Sequence, residues 1–141
     1  MIVKFKKLRP EAVMPTYSTP GSACFDFYCI DPQVTIPEGD MAVIPTGLSV
    51  EVPQGYAMMI YSRSGHGLRG ISLGNCVGVI DSDYRGEIMV MLRNSGHTYY
   101  TVRNKERFAQ GMLIPIEQVQ FVEDELSDTQ RGQGGFGSTG K

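Results

Sequence analysis

Short runs of alternating apolar and polar residues, separated by glycine and proline, fill most of this chain. Alternation with period two is the signature of half-buried strands, and Gly/Pro clusters mark the turns between them. Ile2-Val3-Lys4-Phe5 opens with such a run. Glu11 to Gly21 carries Pro15, Pro20 and Gly21 and is expected to be loop. Further strands are expected over Ala23–Tyr28, Val34–Ile36, Met41–Val50, Tyr56–Tyr61, Ile71–Leu73, Thr98–Val102 and Arg107–Ile116. Pro45 and Gly47 interrupt the longest of these and predict a bend or bulge. Between Ile116 and Leu126 the apolar positions fit a helix face and an alternation about equally, with strand the better fit. The pattern predicts an all-β fold, a jelly-roll-like sandwich or barrel of short strands.

One stretch stands out, Gly74 to Ile88. Val77, Val79 and Ile80 precede a polar break, and Ile88, Val90 and Leu92 alternate after it, as in a strand pair folded into a hairpin and closed by Gly86. Asx residues and glycine are what any tight turn needs. Two features exceed that need. Asp81 follows the apolar run directly, so a strand end fixes its carboxylate, and Tyr84 adds a flat ring three residues later.

Composition narrows the class. At 141 residues with 41% hydrophobic content, the chain can bury one core without staples. No apolar run approaches the roughly 20 residues of a membrane-spanning helix, and charge breaks up the start, Met1 to Lys7, so neither a membrane segment nor a secretory leader is expected. Three cysteines, none in a Cys-x-x-Cys pair, fit a reducing cytoplasm better than a disulfide framework or a zinc site. A net charge of −2 argues against a nucleic-acid partner, so any bound anion must be held by a local basic cluster. His66 and His97 lack metal-ligand spacing and read as surface or turn residues.

The end of the chain changes character at about residue 124. An acidic stretch leads into Arg131 to Gly140, where one Arg and one Phe stand among glycines and hydroxyls. A β-domain over 1–123 and a flexible glycine-rich arm over 124–141 are therefore expected. Such an arm also suits a nucleotide: the ring stacks on a base, the guanidinium forks onto phosphate, and bare N–H groups cradle the rest.

Taken together, five segments resemble the motifs of the trimeric deoxyuridine triphosphate nucleotidohydrolases (dUTPases), in that family's order and over essentially the whole chain. They are Gly21-Ser22-Ala23-Cys24-Phe25-Asp26-Phe27, Ser62-Arg63-Ser64-Gly65, Gly74 to Glu87, Arg107-Phe108-Ala109-Gln110 and Arg131 to Gly140. The resemblance implies cleavage of dUTP to dUMP and pyrophosphate, with Mg²⁺ carried mainly by the triphosphate. It implies Asp81 as the base that activates water against the α-phosphorus, and Asp26 as an acid reaching the metal through water. Arg63, Ser64 and Gln110 correspond to phosphate contacts. Asn75 and the backbone of Gly78 to Tyr84, Val79 and Ile80 included, correspond to the part that reads uracil, in a hairpin too tight for thymine's methyl, and Tyr84 to the ring under the deoxyribose. Arg131 would meet the γ-phosphate, Phe136 would stack on uracil, and Gly137, Ser138 and Thr139 would close the arm over the phosphates. It further implies a homotrimer whose sites are shared, with the first, second and fourth motifs from one subunit, the third from another and the fifth from the last. Cys24, where the family commonly has glycine, and the run His66 to Gly70 depart from the pattern. The dCTP deaminases share the fold, but use a glutamate where Asp81 stands and lack the glycine-rich arm.

Overall fold

The computed structural model describes residues 1–140. In chain order the strands are β1 (Lys4–Lys7), β2 (Thr16–Tyr17), β3 (Phe25–Tyr28), β4 (Gln33–Ile36), β5 (Met41–Glu51) and β6 (Tyr56–Tyr61). A single helical turn, α1 (Ser64–Gly67), follows. Then come β7 (Ile71–Leu73), β8 (Gly78–Ile80), β9 (Glu87–Asn94), β10 (Tyr100–Arg103) and β11 (Arg107–Pro115). They form a four-stranded sheet ordered β1-β5-β9-β7, a five-stranded sheet ordered β2-β3-β11-β6-β8, and the pair β10-β4. All pairings are antiparallel. This is the all-β, jelly-roll-like sandwich that the alternation predicts.

The inward residues of both large sheets meet in one core. Phe27, Met58 and Phe108 from the five-stranded sheet pack with Ile44, Leu48, Ile88 and Leu92 from the four-stranded one, all inaccessible to solvent. Each such side chain contributes roughly 1.5–3 kcal/mol on burial. Strand β9 shows the cause plainly, since Ile88, Val90 and Leu92 point in while Met89, Met91 and Arg93 point out. The bend expected near Pro45 and Gly47 is a bulge. Register passes from Pro45 opposite Met89 to Ser49 opposite Glu87, and Gly47 sits at φ 68°. A Cβ there would come within 2.9 Å of both Ala12 and Ile30 side chains, so glycine is required twice over.

Several local expectations change. The loop over 11–21 contains β2, paired with β3. Residues 116–126 form neither strand nor helix, and the last backbone bond joining them to the body is Ile116 N–H to the Gly55 carbonyl. The largest correction concerns Gly74 to Ile88. Strands β8 and β9 do not pair; β8 joins β6 in one sheet and β9 joins β5 and β7 in the other. Residues 81–86 are thus a crossover between sheets, not a hairpin tip. No helix among the described residues is long and apolar enough to cross a membrane.

Candidate active site

Strand β11 lies between β3 and β6 and carries polar residues to one end of the five-stranded sheet. Gln110 stands opposite Asp26 on β3 and Tyr61 on β6. Arg107 and Gln110 are three apart, which in a regular strand would put them on opposite faces. A register shift between Arg107 and Ala109 adds one residue to β11 and corrects the phase. Both then reach the side where Asp26 stands.

Asp26 is buried, with 5% exposure, but partnered on both oxygens, once on Oδ1 and twice on Oδ2. Arg63 Nε lies 3.0 Å from Oδ1, and Arg107 Nη1 lies 3.3 Å from Oδ2. The Ser18 hydroxyl donates to Oδ2 at 2.9 Å and accepts from Arg107 Nη1 at 2.8 Å. Arg63 also donates from Nη1 to the Arg107 carbonyl at 3.2 Å, and Gln110 Nε2 donates to the Ser62 carbonyl at 3.0 Å. One buried carboxylate facing two guanidiniums leaves a surplus positive charge. The surplus borders a cavity of about 540 Å³ lined by Ser22, Cys24, Asp26, Arg63, Ser64 and Gln110, among others. Three of the five sequence motifs therefore converge. The contribution of Arg107 and Ser18 was missed by reading the sequence alone. Only the bulge, invisible in the letters, brings Arg107 onto Asp26.

Cys24 lines the same cavity, and burial, then the nearby Asp26 charge, pushes its thiol above the ordinary range. It stays a protonated, packing side chain, 3.8 Å from the Met112 sulfur.

Behind Ser64, α1 buries one residue, and that residue is His66. This corrects the expectation of a surface histidine; His97 is fully exposed as expected. The His66 ring meets Tyr100 edge-on, and Nε2 lies 3.9 Å from Glu106 Oε1. Nδ1 is buried with no hydrogen-bond partner among the described residues, an arrangement that typically costs about 1–3 kcal/mol. Burial above all holds the imidazole below its usual range; Glu106 opposes this and Arg63 and Arg69 add to it.

The remaining predicted residues lie elsewhere. Gly78, Val79 and Ile80 form β8, the edge of the five-stranded sheet, so one rim of their N–H and C=O groups has no strand beside it. Gly78 lets β8 come close, since a Cβ there would be 3.0 Å from the Ile60 Cβ. Asn75 lies exposed in the turn before β8, beside Cys76 at φ 64°. Asp81 follows β8 and is exposed. Tyr84 donates from its hydroxyl to the Glu87 carbonyl at 2.9 Å, which lays the ring over Gly86. That is the reason for glycine at 86: any Cβ would strike the ring.

Asp81 is not at the cavity. Asp81 leaves β8 just after Ile80, which pairs with Met58 near the start of β6, whereas Arg63 follows the far end of that strand at Tyr61. The strand from Met58 to Tyr61 alone spans roughly 10 Å. The arm is apart too. Arg131 Nε donates to the Gly134 carbonyl at 2.9 Å in a run of tight turns, and Ser138 and Thr139 face a separate cavity of about 590 Å³. Phe136 is wholly exposed, and Gly137 follows at φ 91°.

Among the described residues no three His, Cys, Asp or Glu side chains gather as metal ligands. A cation held by protein groups alone has no cage here. A hard cation that keeps its waters and rides on phosphate oxygens needs only one nearby carboxylate, and Asp26 fits that demand.

An all-β body with a polar cavity that carries Arg63, Ser64 and Gln110, a free strand edge and a glycine-rich arm offers the groups that a small phosphorylated ligand needs. Residues 10–140 match the dUTPase family model. A deoxyuridine 5'-triphosphate nucleotidohydrolase of Bordetella avium is 48% identical, with 99% of this chain and 96% of that protein covered. One of Nautilia profundicola is 46% identical over the full length of both. A solved dUTPase of Staphylococcus bacteriophage 80alpha, with dUpNHpp, has a TM-score of 0.88 at 25% identity, 99% of each chain being covered. The chain belongs to the dUTPase family.

Proposed function

We propose that this protein is a dUTP diphosphatase that hydrolyses dUTP to dUMP and pyrophosphate in sites shared between copies of the chain. Family membership and the full-length relatives support the reaction. The separation of Asp81 from the Arg63–Asp26 cavity along β6 supports the sharing. A base must stand within hydrogen-bond reach of the water it activates, so one chain cannot complete the reaction alone. A homotrimer in which a second copy brings Asp81 and a third brings the arm resolves this. The outer face of the four-stranded sheet, with Val43 opposite Met91 and Pro45 opposite Met89, is apolar enough to be covered by another copy.

Arg63, Ser64 and Gln110 hold the phosphates, with Arg107 and Asp26 keeping Arg63 in place. Asp26 would hold a triphosphate-bound Mg²⁺ through a water, and the ion would supply charge neutralisation. Asp81 accepts the proton of the attacking water as its oxygen bonds the α-phosphorus. The bond from that phosphorus to the bridging oxygen breaks, and pyrophosphate leaves. Asn75 and the free rim of Gly78, Val79 and Ile80 pair with uracil, as one more strand would. The Tyr84 ring lies under the deoxyribose and excludes a 2′-hydroxyl. Arg131 meets the γ-phosphate, Phe136 stacks on uracil, and Gly137, Ser138 and Thr139 close over the phosphates. The β-body over 1–123 and the arm over 124–141 thus divide the work between chemistry and closure. Three unpaired cysteines suit a reducing cytoplasm.

Pyrophosphate release from dUTP, dTTP, dCTP and UTP side by side tests the reading. Release from dUTP alone is expected; equal release from dTTP or UTP, or ammonia from dCTP, contradicts it.

A further inference from the structure

We infer that His66 is a positioning residue for the phosphate-holding turn, and that its ring makes the grip of Arg63 and Ser64 on the triphosphate depend on pH. The inference rests on the reading of Arg63 and Ser64 as phosphate contacts.

The turn after β6 is short and glycine-flanked, and His66 is the only side chain that α1 buries. The helical turn is therefore anchored to the body through that ring. The ring touches the segment that leads into Arg107. It packs edge-on against Tyr100 of β10, and its Nε2 faces Glu106 at 3.9 Å. Glu106 is held by the Tyr100 hydroxyl at 3.2 Å and by the Arg103 N–H at 2.9 Å, and it directly precedes Arg107. His66 thus links the two segments whose guanidiniums converge on Asp26.

The charged and titratable groups around it are Arg63 and Arg69 from the flanks of α1, Tyr100 from β10 and Glu106 from the turn before β11, with the Phe108 backbone also near. An apolar side chain would fill this pocket at every pH. Imidazole does not, because Nδ1 is buried without a hydrogen-bond partner and an added charge there faces two guanidiniums, with Glu106 and the Phe108 backbone opposing them. The cation is repelled by Arg63 and Arg69. It is drawn to Glu106, and closing the 3.9 Å gap to Oε1 moves the ring toward the turn before β11. Either movement shifts the turn that carries Arg63 and Ser64. Protonation should therefore weaken triphosphate binding more than it slows the bond-breaking step.

The test is steady-state dUTP hydrolysis at saturating Mg²⁺ by the full-length protein, His66→Leu and His66→Gln, between pH about 5 and 8. At the alkaline end all three should turn over dUTP with KM values within about twofold. At the acid end the wild-type KM should rise at least about fivefold relative to both variants, with kcat changing less. With His97 the only other histidine, ring-proton NMR of the wild type should show the His66 titration at the midpoint of the KM rise. Superimposable profiles in active enzymes overturn the inference alone. So does an equal KM increase in both variants at every pH, the mark of a packing role without titration. A wild type that does not turn over dUTP at the alkaline end removes the functional reading and this inference with it.

Discussion

The Nε of Arg63 stands 3.0 Å from Oδ1 of Asp26, a carboxylate almost closed off from solvent. With Arg107 on the other oxygen, this is a fixed cluster rather than an exposed ion pair. Asp26→Asn leaves two guanidiniums facing a neutral amide. Because both can turn toward solvent, the loss of stability should be about 1–3 kcal/mol, below the cost of stranding a fully buried charge. Urea unfolding checks this, and turnover should fall at least about tenfold as Arg63 loses its anchor. Unchanged unfolding and turnover would mean that the cluster is decorative.

Gly86→Ala should act on specificity. The ring of Tyr84 occupies the space that a methyl at 86 would take, with ring carbon Cε2 2.9 Å from that position. Displacing the ring should lower the preference for dUTP over UTP at least about tenfold, while stability changes little. A preference equal to wild type would remove Tyr84 from sugar discrimination.

Deleting residues 131–141 should leave the body folded and its assembly unchanged. Among the described residues the arm's hydrogen bonds are its own, as from Arg131 to Gly134 and from Ser138 to Gly135. Turnover of dUTP should drop by at least about a hundredfold, since the γ-phosphate contact and the stacking ring go together. Size-exclusion chromatography with pyrophosphate release checks both halves. A fully active truncation would reduce the arm to a tail.

Stability should depend on pH through His66. Its folded-state value is depressed, chiefly by burial, so the unfolded chain binds the proton more readily. Stability is then fully present above the ordinary histidine value of about 6.5 and is lost as pH falls from there through the depressed value. His66→Leu should flatten that part of a thermal-unfolding profile across acid pH. The same slope in both proteins would assign it to other groups.

Much of this was legible in the letters because strands with one dry face must alternate. Tyr56–Tyr61 and Ile71–Leu73 fall where the pattern puts them. Sheet partnership is not a local property, so two strands joined by a polar turn, β8 and β9, read as a hairpin although they belong to different sheets. The four-residue helix was too short to show a period. The burial of His66 was hidden because glycine neighbours look like an exposed turn, and what covers the ring comes from residues 100 and 106. Motif order marked Asp26, Arg63, Ser64 and Gln110, which do meet at one cavity. The register that carries Asp81 away from them is not a local pattern; only the resemblance, which gives the third motif to another subunit, implied that separation.

Subunit mixing tests the shared site most directly. Asp81→Asn should lose at least about a hundredfold in turnover while still binding dUTP, and Ser64→Ala should be impaired through the other half of the site. Unfolded together in equal amounts and refolded, the two inactive chains should recover about a quarter of wild-type activity, because a random quarter of sites draws both intact residues from different copies. Activity no higher than the sum of the separate variants would show that each chain builds its site alone.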